Sequence, residues 1–184
     1  MSKKLLAALL FTAFVIILTP IQIIGVAQSE AYKPEKNEYN FVFIPKLVHP
    51  WYETVKVGIE KAIEEFAERG ITINYSWDAT STADVLAQTQ KLESAAAKNP
   101  DGISIAIIDA SVTTAIIDDL VANGINVSTF DTDAPESDRL SYCGHADNKG
   151  DGAALAKILA AKIGEEGEIA ILSGTLSAPN HKER

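Results

Sequence analysis

Apolar and polar positions along this chain change period several times, and the changes mark out a series of elements. Asn40 to Leu47 is short and β-rich and reads as a strand. Trp51 to Arg69 carries Val55, Ile59, Ala62, Ile63 and Phe66 three and four apart, which predicts a helix with one apolar face. Gly70 stands where a C-cap glycine belongs. Ile71 to Trp77 alternates and predicts a second strand. Ala83 to Lys98 predicts a helix burying Leu86, Thr89, Leu92 and Ala96. The turn Asn99-Pro100-Asp101-Gly102 leads into a buried strand, Ile103 to Ile108. A helix over Val112 to Ala122 closes at Asn123-Gly124. Strands then follow over Asn126 to Phe130 and Leu140 to Gly144. A fourth helix is predicted over Asn148 to Ile163, with Leu155, Ile158, Leu159 and Ile163 as its apolar positions. Glu168 to Leu172 reads as a sixth strand. Strands alternating with amphipathic helices imply βαβ units, hence an α/β fold with a doubly wound parallel sheet flanked by helices and right-handed crossovers.

The start of the chain has a different character. Lys3 and Lys4 precede an uncharged apolar run from Leu5 to Leu18. Pro20 breaks it, and small residues follow at Gly25 and Ala27. That order predicts a secretory signal over residues 1–29, cleaved after Ala27, Ser29 or Ala31. An uncleaved anchor is the rival reading, since no charge intervenes between Lys4 and Glu30, and Pro20 and Gln22 weigh against it. Residues 30–39 are polar and read as a linker, leaving residues 40–184 as the folded part. The mature part would carry 14 basic and 25 acidic residues. Such an acidic, exported domain repels phosphates, which excludes nucleic acid as a partner. The single Cys143 permits no intrachain disulfide, lies far from any lipid-attachment position, and is expected to be a buried thiol.

In an open α/β sheet, ligands bind beyond the carboxyl ends of the strands. The residues just after the strands are Lys46, His49, Trp51 and Tyr52; then Asp109 and Ser111; then Asp131, Thr132 and Asp133; then His145, Asp147 and Asn148; then Ser173, Thr175, Asn180 and Arg184. Carboxylates, an ammonium, amides and aromatic rings on one rim suit a neutral polyol, whose hydroxyls donate to Asp and accept from Lys, Arg or Asn. The C–H faces of a sugar ring would lie on Trp51 and Tyr52. Each side chain also has a structural reading. Lys46 can be a solvated strand end, Trp51 and Tyr52 can be core rings, Asp131 and Asp133 can hold a turn, and Asp109 can cap the third helix. The three histidines have no metal-ligand spacing, and no metal or other cofactor is expected. No G-x-S-x-G elbow or Walker A loop is present, and Gly150 and Gly152 fit close helix packing better than a dinucleotide loop. The chain is therefore expected not to be an enzyme.

These segments, in order, resemble the type I periplasmic sugar-binding proteins, with ribose-, rhamnose- and autoinducer-2-binding proteins as the relevant branches. The resemblance rests on Phe43-Ile44-Pro45-Lys46, Pro50-Trp51-Tyr52 with Gly58, Pro100-Asp101-Gly102-Ile103, Gly124-Ile125-Asn126-Val127, Phe130-Asp131-Thr132-Asp133, His145-Ala146-Asp147-Asn148, and Gly174 with Asn180 and Arg184. It implies a periplasmic receptor for a monosaccharide or related polyol, working as a monomer with an ABC transporter permease. It implies ligand contacts at Lys46, stacking at Trp51 and Tyr52, hydrogen bonding at Asp131, and further contacts at Asn180 and Arg184. Thr132 stands where the ribose branch has arginine, and His49 where it has asparagine. Those departures, with the Ile-Pro-Lys opening, favour the rhamnose and autoinducer-2 branch. The same resemblance implies a second lobe following the first, with ligand held in the cleft between them. The chain is expected to stop where the first crossing begins and so to bind sugar weakly or not at all alone. A membrane-tethered sugar or autoinducer sensor and a non-functional fragment are the alternative readings. A lac-repressor-type regulator would need a helix-turn-helix in place of the export signal.

Overall fold

A computed structural model describes residues 34–144, 147–174 and 177–184. The signal segment over 1–29, residues 30–33 of the expected linker, and His145 and Thr175 lie outside the described residues. Five parallel strands form one sheet: β1 (Glu38–Ile44), β2 (Thr72–Trp77), β3 (Gly102–Ile105), β4 (Val127–Phe130) and β5 (Ser141–Cys143), in the order β2-β1-β3-β4-β5. The helices are α1 (Pro50–Ala67), α2 (Val85–Ala96), α3 (Ala110–Ala122), α4 (Asn148–Ile163) and the short α5 (Pro179–Glu183).

The pleat of β1 sorts the two faces. Val42 and Ile44 point to one side, in register with Ile103 and Ile105, and meet Leu92 and Ala95 of α2 and Ile117 of α3 in the main core. Phe41 and Phe43 point to the other side, toward α1. There Ile59, Ile63 and Phe66 with Leu140 border an apolar groove of about 380 Å³. The sheet is thus doubly wound, as the alternating pattern predicts. At the end of α1 the chain turns at Gly70 with φ +77, a conformation that costs a residue with a Cβ, and Ile71 N–H then donates to the Phe66 carbonyl at 3.1 Å.

Several expectations need correction. β1 begins at Glu38, because Lys36 pairs with Asp101 and the Asn37 carbonyl accepts from Thr72, so the end of the expected linker is already held. The strand stops before Pro45, which has no N–H for the ladder. β3 ends at Ile105, although Ala106, Ile107 and Ile108 remain buried. Their N–H groups go instead to the Ile44 carbonyl, the Thr132 carbonyl and the Gln88 side chain. On α2 the buried set is Gln88, Thr89, Leu92 and Ala95, while Leu86 is 67% exposed.

The expected sixth strand is not formed: residues 168–172 are irregular and unpaired, with Ile169, Ile171 and Leu172 exposed. Its sequence has strand periodicity, but a strand forms only where its N–H and C=O groups pair with a neighbour, and this segment does not reach the open edge of β5. After β5 the chain leaves the sheet. α4 buries none of its residues, and Leu155, Ile158, Leu159 and Ile163 stay exposed. α4 lies against the end of the chain instead. A Cβ at Gly152 would collide with the Arg184 backbone, so that glycine does permit a close approach. Cys143 is exposed rather than buried, because β5 is an edge strand with all three of its residues open to water.

Candidate functional site

The strand ends place a group of loops side by side, and buried polar side chains tie them together. Gln88 is the principal tie. Its amide donates to the Ala106 carbonyl at 2.8 Å, and its oxygen accepts from Ile108 N–H at 3.1 Å, which fixes the loop after β3. Thr80 donates to the Lys46 carbonyl at 2.6 Å, and Val48 N–H donates to the Thr80 carbonyl at 2.8 Å, which fixes the loop after β1. His49 caps α1: its Nδ1 accepts from Trp51 N–H at 3.2 Å. This cap sets the direction in which Trp51 and Tyr52 leave the helix.

A cleft of about 590 Å³ opens at this rim. Lys46, His49, Trp51, Tyr52, Asp131, Asn180 and Arg184 line it, along with His181. Asp131 is its chemical centre. Its Oδ2 accepts from Tyr52 Oη at 2.9 Å and from Lys46 Nζ at 3.0 Å, with Thr132 Oγ1 at 3.4 Å. No described residue bonds to its Oδ1. Lys46 Nζ also reaches Asn180 Oδ1 at 3.4 Å. Lys46 and Asn180 are both buried. Burial pulls the Lys46 pKa below its ordinary value, the Asp131 carboxylate opposes that shift, and the charge of Arg184 adds to it. Burial and the adjacent Asp131 raise the Tyr52 phenol well above its ordinary range, so it remains a donor.

The two aromatic residues have separate roles. Tyr52 is 4% exposed and packs with Trp77 and Phe130, with ring centroids 6.2 and 6.1 Å away. It therefore offers the cleft a hydroxyl rather than a ring face. Trp51 is 46% exposed and stands edge-on to Tyr52 at 5.0 Å, leaving ring surface free.

Three sequence candidates do not line this cleft. Asp133 accepts from Thr129 Oγ1 at 2.6 Å and from Ala134 N–H at 2.8 Å, and it pairs with Arg139. It borders a separate cavity of about 280 Å³ together with Thr132. Burial alone would raise the Asp133 pKa, but these donors outweigh it and hold the carboxyl below its ordinary value. Asp109 caps α3, accepting from Ser111 N–H at 3.0 Å, and borders a third cavity of about 240 Å³. Thr132 is buried and reaches the cleft only through Asp131.

Sequence reasoning missed His181 and Gln88. His181 Nδ1 accepts from Gly174 N–H at 3.1 Å, and burial with the nearby charges of Lys46 and Arg184 lowers its pKa. Its signal was weak, since it falls on a five-residue helix with no periodicity. Gln88 had a usable signal: it lies four residues before Leu92 and so shares the core-facing side of α2. Among the described residues, no group of three or more His, Cys, Asp or Glu side chains is placed to hold a metal ion. No described helix is long and apolar enough to cross a membrane.

Comparison with known proteins agrees with this geometry. A comparison with curated proteins gives no match. Among solved structures, an ABC transporter solute-binding protein from Burkholderia graminis, in complex with D-arabinose, is 28% identical with a TM-score of 0.71. The match covers 83% of this chain and 50% of that one. GanP, a glucose-galactose binding protein from Geobacillus stearothermophilus, is 28% identical with a TM-score of 0.69, over 80% of this chain and 51% of its own. A Clostridium phytofermentans solute-binding protein with bound L-rhamnose is 20% identical with a TM-score of 0.71, over 79% of this chain and 44% of its own, a likeness of fold alone. The chain thus spans about half the length of the solved relatives it matches. The family model for the periplasmic binding protein domain matches residues 41–184, and with the parallel sheet and its rim it places this chain in the periplasmic binding protein family.

Proposed function

We propose that the chain is a sugar-binding component of an extracytoplasmic ABC importer, and that the cleft around Asp131 grips one side of a monosaccharide or related polyol. The observation that carries this reading is the state of the Asp131 carboxylate. One oxygen is anchored by Tyr52 and Lys46, and the other, which bonds to no described residue, can accept from a ligand hydroxyl. Lys46, Asn180 and Arg184 supply further polar contacts at the cleft wall, and Trp51 supplies an apolar face for the ring. The D-arabinose bound by the Burkholderia graminis protein and the glucose and galactose bound by GanP support the substrate class, and the ABC transporter role of the former supports partnership with a permease. His49 contributes by capping α1 and lining the wall. Asp109, Thr132 and Asp133 serve the loops behind the cleft. Export by the N-terminal segment belongs to the same reading. The match covers about half of each relative's chain, and closure of a second lobe over the ligand belongs to the same reading.

A thermal-shift panel of pentoses, hexoses, deoxyhexoses and autoinducer-2 at millimolar concentration tests the reading. A ligand that binds only the native state raises stability by about 2.7 kcal/mol at a hundredfold excess over Kd. At least one sugar should give a saturating shift that Asp131→Ala removes. A panel with no shift, or a shift that survives Asp131→Ala, would sink it.

A further inference from the structure

Asp131 holds its carboxylate in the cleft from an uncommon backbone position. Its φ is +58, in the left-handed region that residues with a Cβ seldom occupy. β5 holds both of its main-chain polar groups. Its N–H donates to the Cys143 carbonyl at 3.1 Å. Its carbonyl oxygen accepts from the Tyr142 hydroxyl at 3.0 Å. The Tyr142 ring reaches that carbonyl by folding back over Gly144. A Cβ at Gly144 would collide with the phenol end of the ring, so the glycine provides the room the tyrosine needs. Burial first, and then the carboxylates of Asp133, Asp131 and Glu183, raise the Tyr142 pKa and keep the hydroxyl protonated as a donor.

Tyr142 is not among the residues that line the Asp131 cleft. Any influence on ligand must pass through the residue it holds. We infer that Tyr142 is a positioning residue for the binding site, clamping the left-handed backbone of Asp131 with room provided by Gly144, so that the carboxylate faces Lys46 and Tyr52. The inference takes the cleft to be the sugar site, but the clamp can be tested without any sugar.

Two variants, Tyr142→Phe and Gly144→Ala, should be compared with the parent chain. The first removes the donor. The second displaces the ring by a different route, so agreement between them argues against a local folding defect. The primary readout is the titration of Lys46 Nζ, followed by NMR of its Cε resonances. Asp131 is the charge that supports the Lys46 ammonium against burial. Loss of the clamp should therefore lower the Lys46 pKa in both variants, in the direction that Asp131→Ala takes to its limit. The second readout is affinity for the best sugar of the panel, which should weaken about tenfold in both. Trp51→Ala should weaken the sugar while leaving the Lys46 titration in place. An unchanged Lys46 titration in both variants would overturn the inference. A shifted titration in a chain that binds no sugar would uphold the clamp and refute the functional reading instead.

Discussion

The ammonium of Lys46 lies 3.0 Å from Oδ2 of Asp131, and the two side chains are only 10% and 11% exposed. They come from loops after β1 and β4, two strands that are not neighbours in the sheet. Removing one member of such a pair strands the other charge in a poorly solvated place. Lys46→Met should destabilise the chain by about 3 kcal/mol in urea unfolding. The double variant Lys46→Met/Asp131→Asn should recover a large part of that loss, since neither charge then remains. Equal stability of the single and double variants would show that the pair is not coupled.

Trp51 should separate binding from folding. Its half-exposed ring touches Tyr52 but sits outside both core clusters. Trp51→Ala should cost no more than about 1 kcal/mol of stability. Sugar affinity should fall about tenfold, corresponding to about 1.4 kcal/mol of lost contact. Calorimetric titration beside a denaturation curve checks both halves.

Asp133 makes a prediction about pH. Its folded-state pKa lies below its ordinary value of 3.8, so the native state favours the ionised form. The resulting stability is present above the unfolded value and is lost as pH falls through the lowered folded value. Asp133→Asn should reduce stability at pH 7 and flatten the acid limb of a stability profile between about pH 5 and 2. Sugar affinity should change little, because Asp133 faces a different cavity. A variant with an unaltered acid limb would remove Asp133 from the loop-holding role.

Gln88 is 1% exposed and bonds to loop backbone through both ends of its amide. Gln88→Leu preserves the shape but leaves the Ala106 carbonyl and Ile108 N–H without that partner. The loss should be about 2 kcal/mol, with faster hydrogen exchange at Ile108. Exchange at Ile108 as slow as in the parent chain would argue that another group takes over.

Much of this protein follows from its sequence alone. Period and punctuation located all four long helices and five strands among the described residues, because a helix or strand face must match its own repeat whatever surrounds it. The rule that ligands bind beyond the strand ends also brought Lys46, Trp51, Tyr52, Asp131, Asn180 and Arg184 to one rim, where the structure puts them around a single cleft. What the sequence could not decide were matters of direction and partnership. Asp131 and Asp133 are two residues apart with the same chemistry, yet one faces Lys46 and the other Arg139, because a left-handed backbone at Asp131 turns them apart. Tyr52 looked like a stacking ring, and its burial beside Trp77 and Phe130 made it a hydrogen-bond donor instead. Residues 168–172 have the pattern of a strand but do not pair with the open edge of β5, and Cys143 is exposed because β5 is an edge. Local periodicity is written in neighbouring residues, whereas the cleft depends on atoms far apart in the chain, Tyr52 and Asp131 by 79 positions and Lys46 and Asn180 by 134.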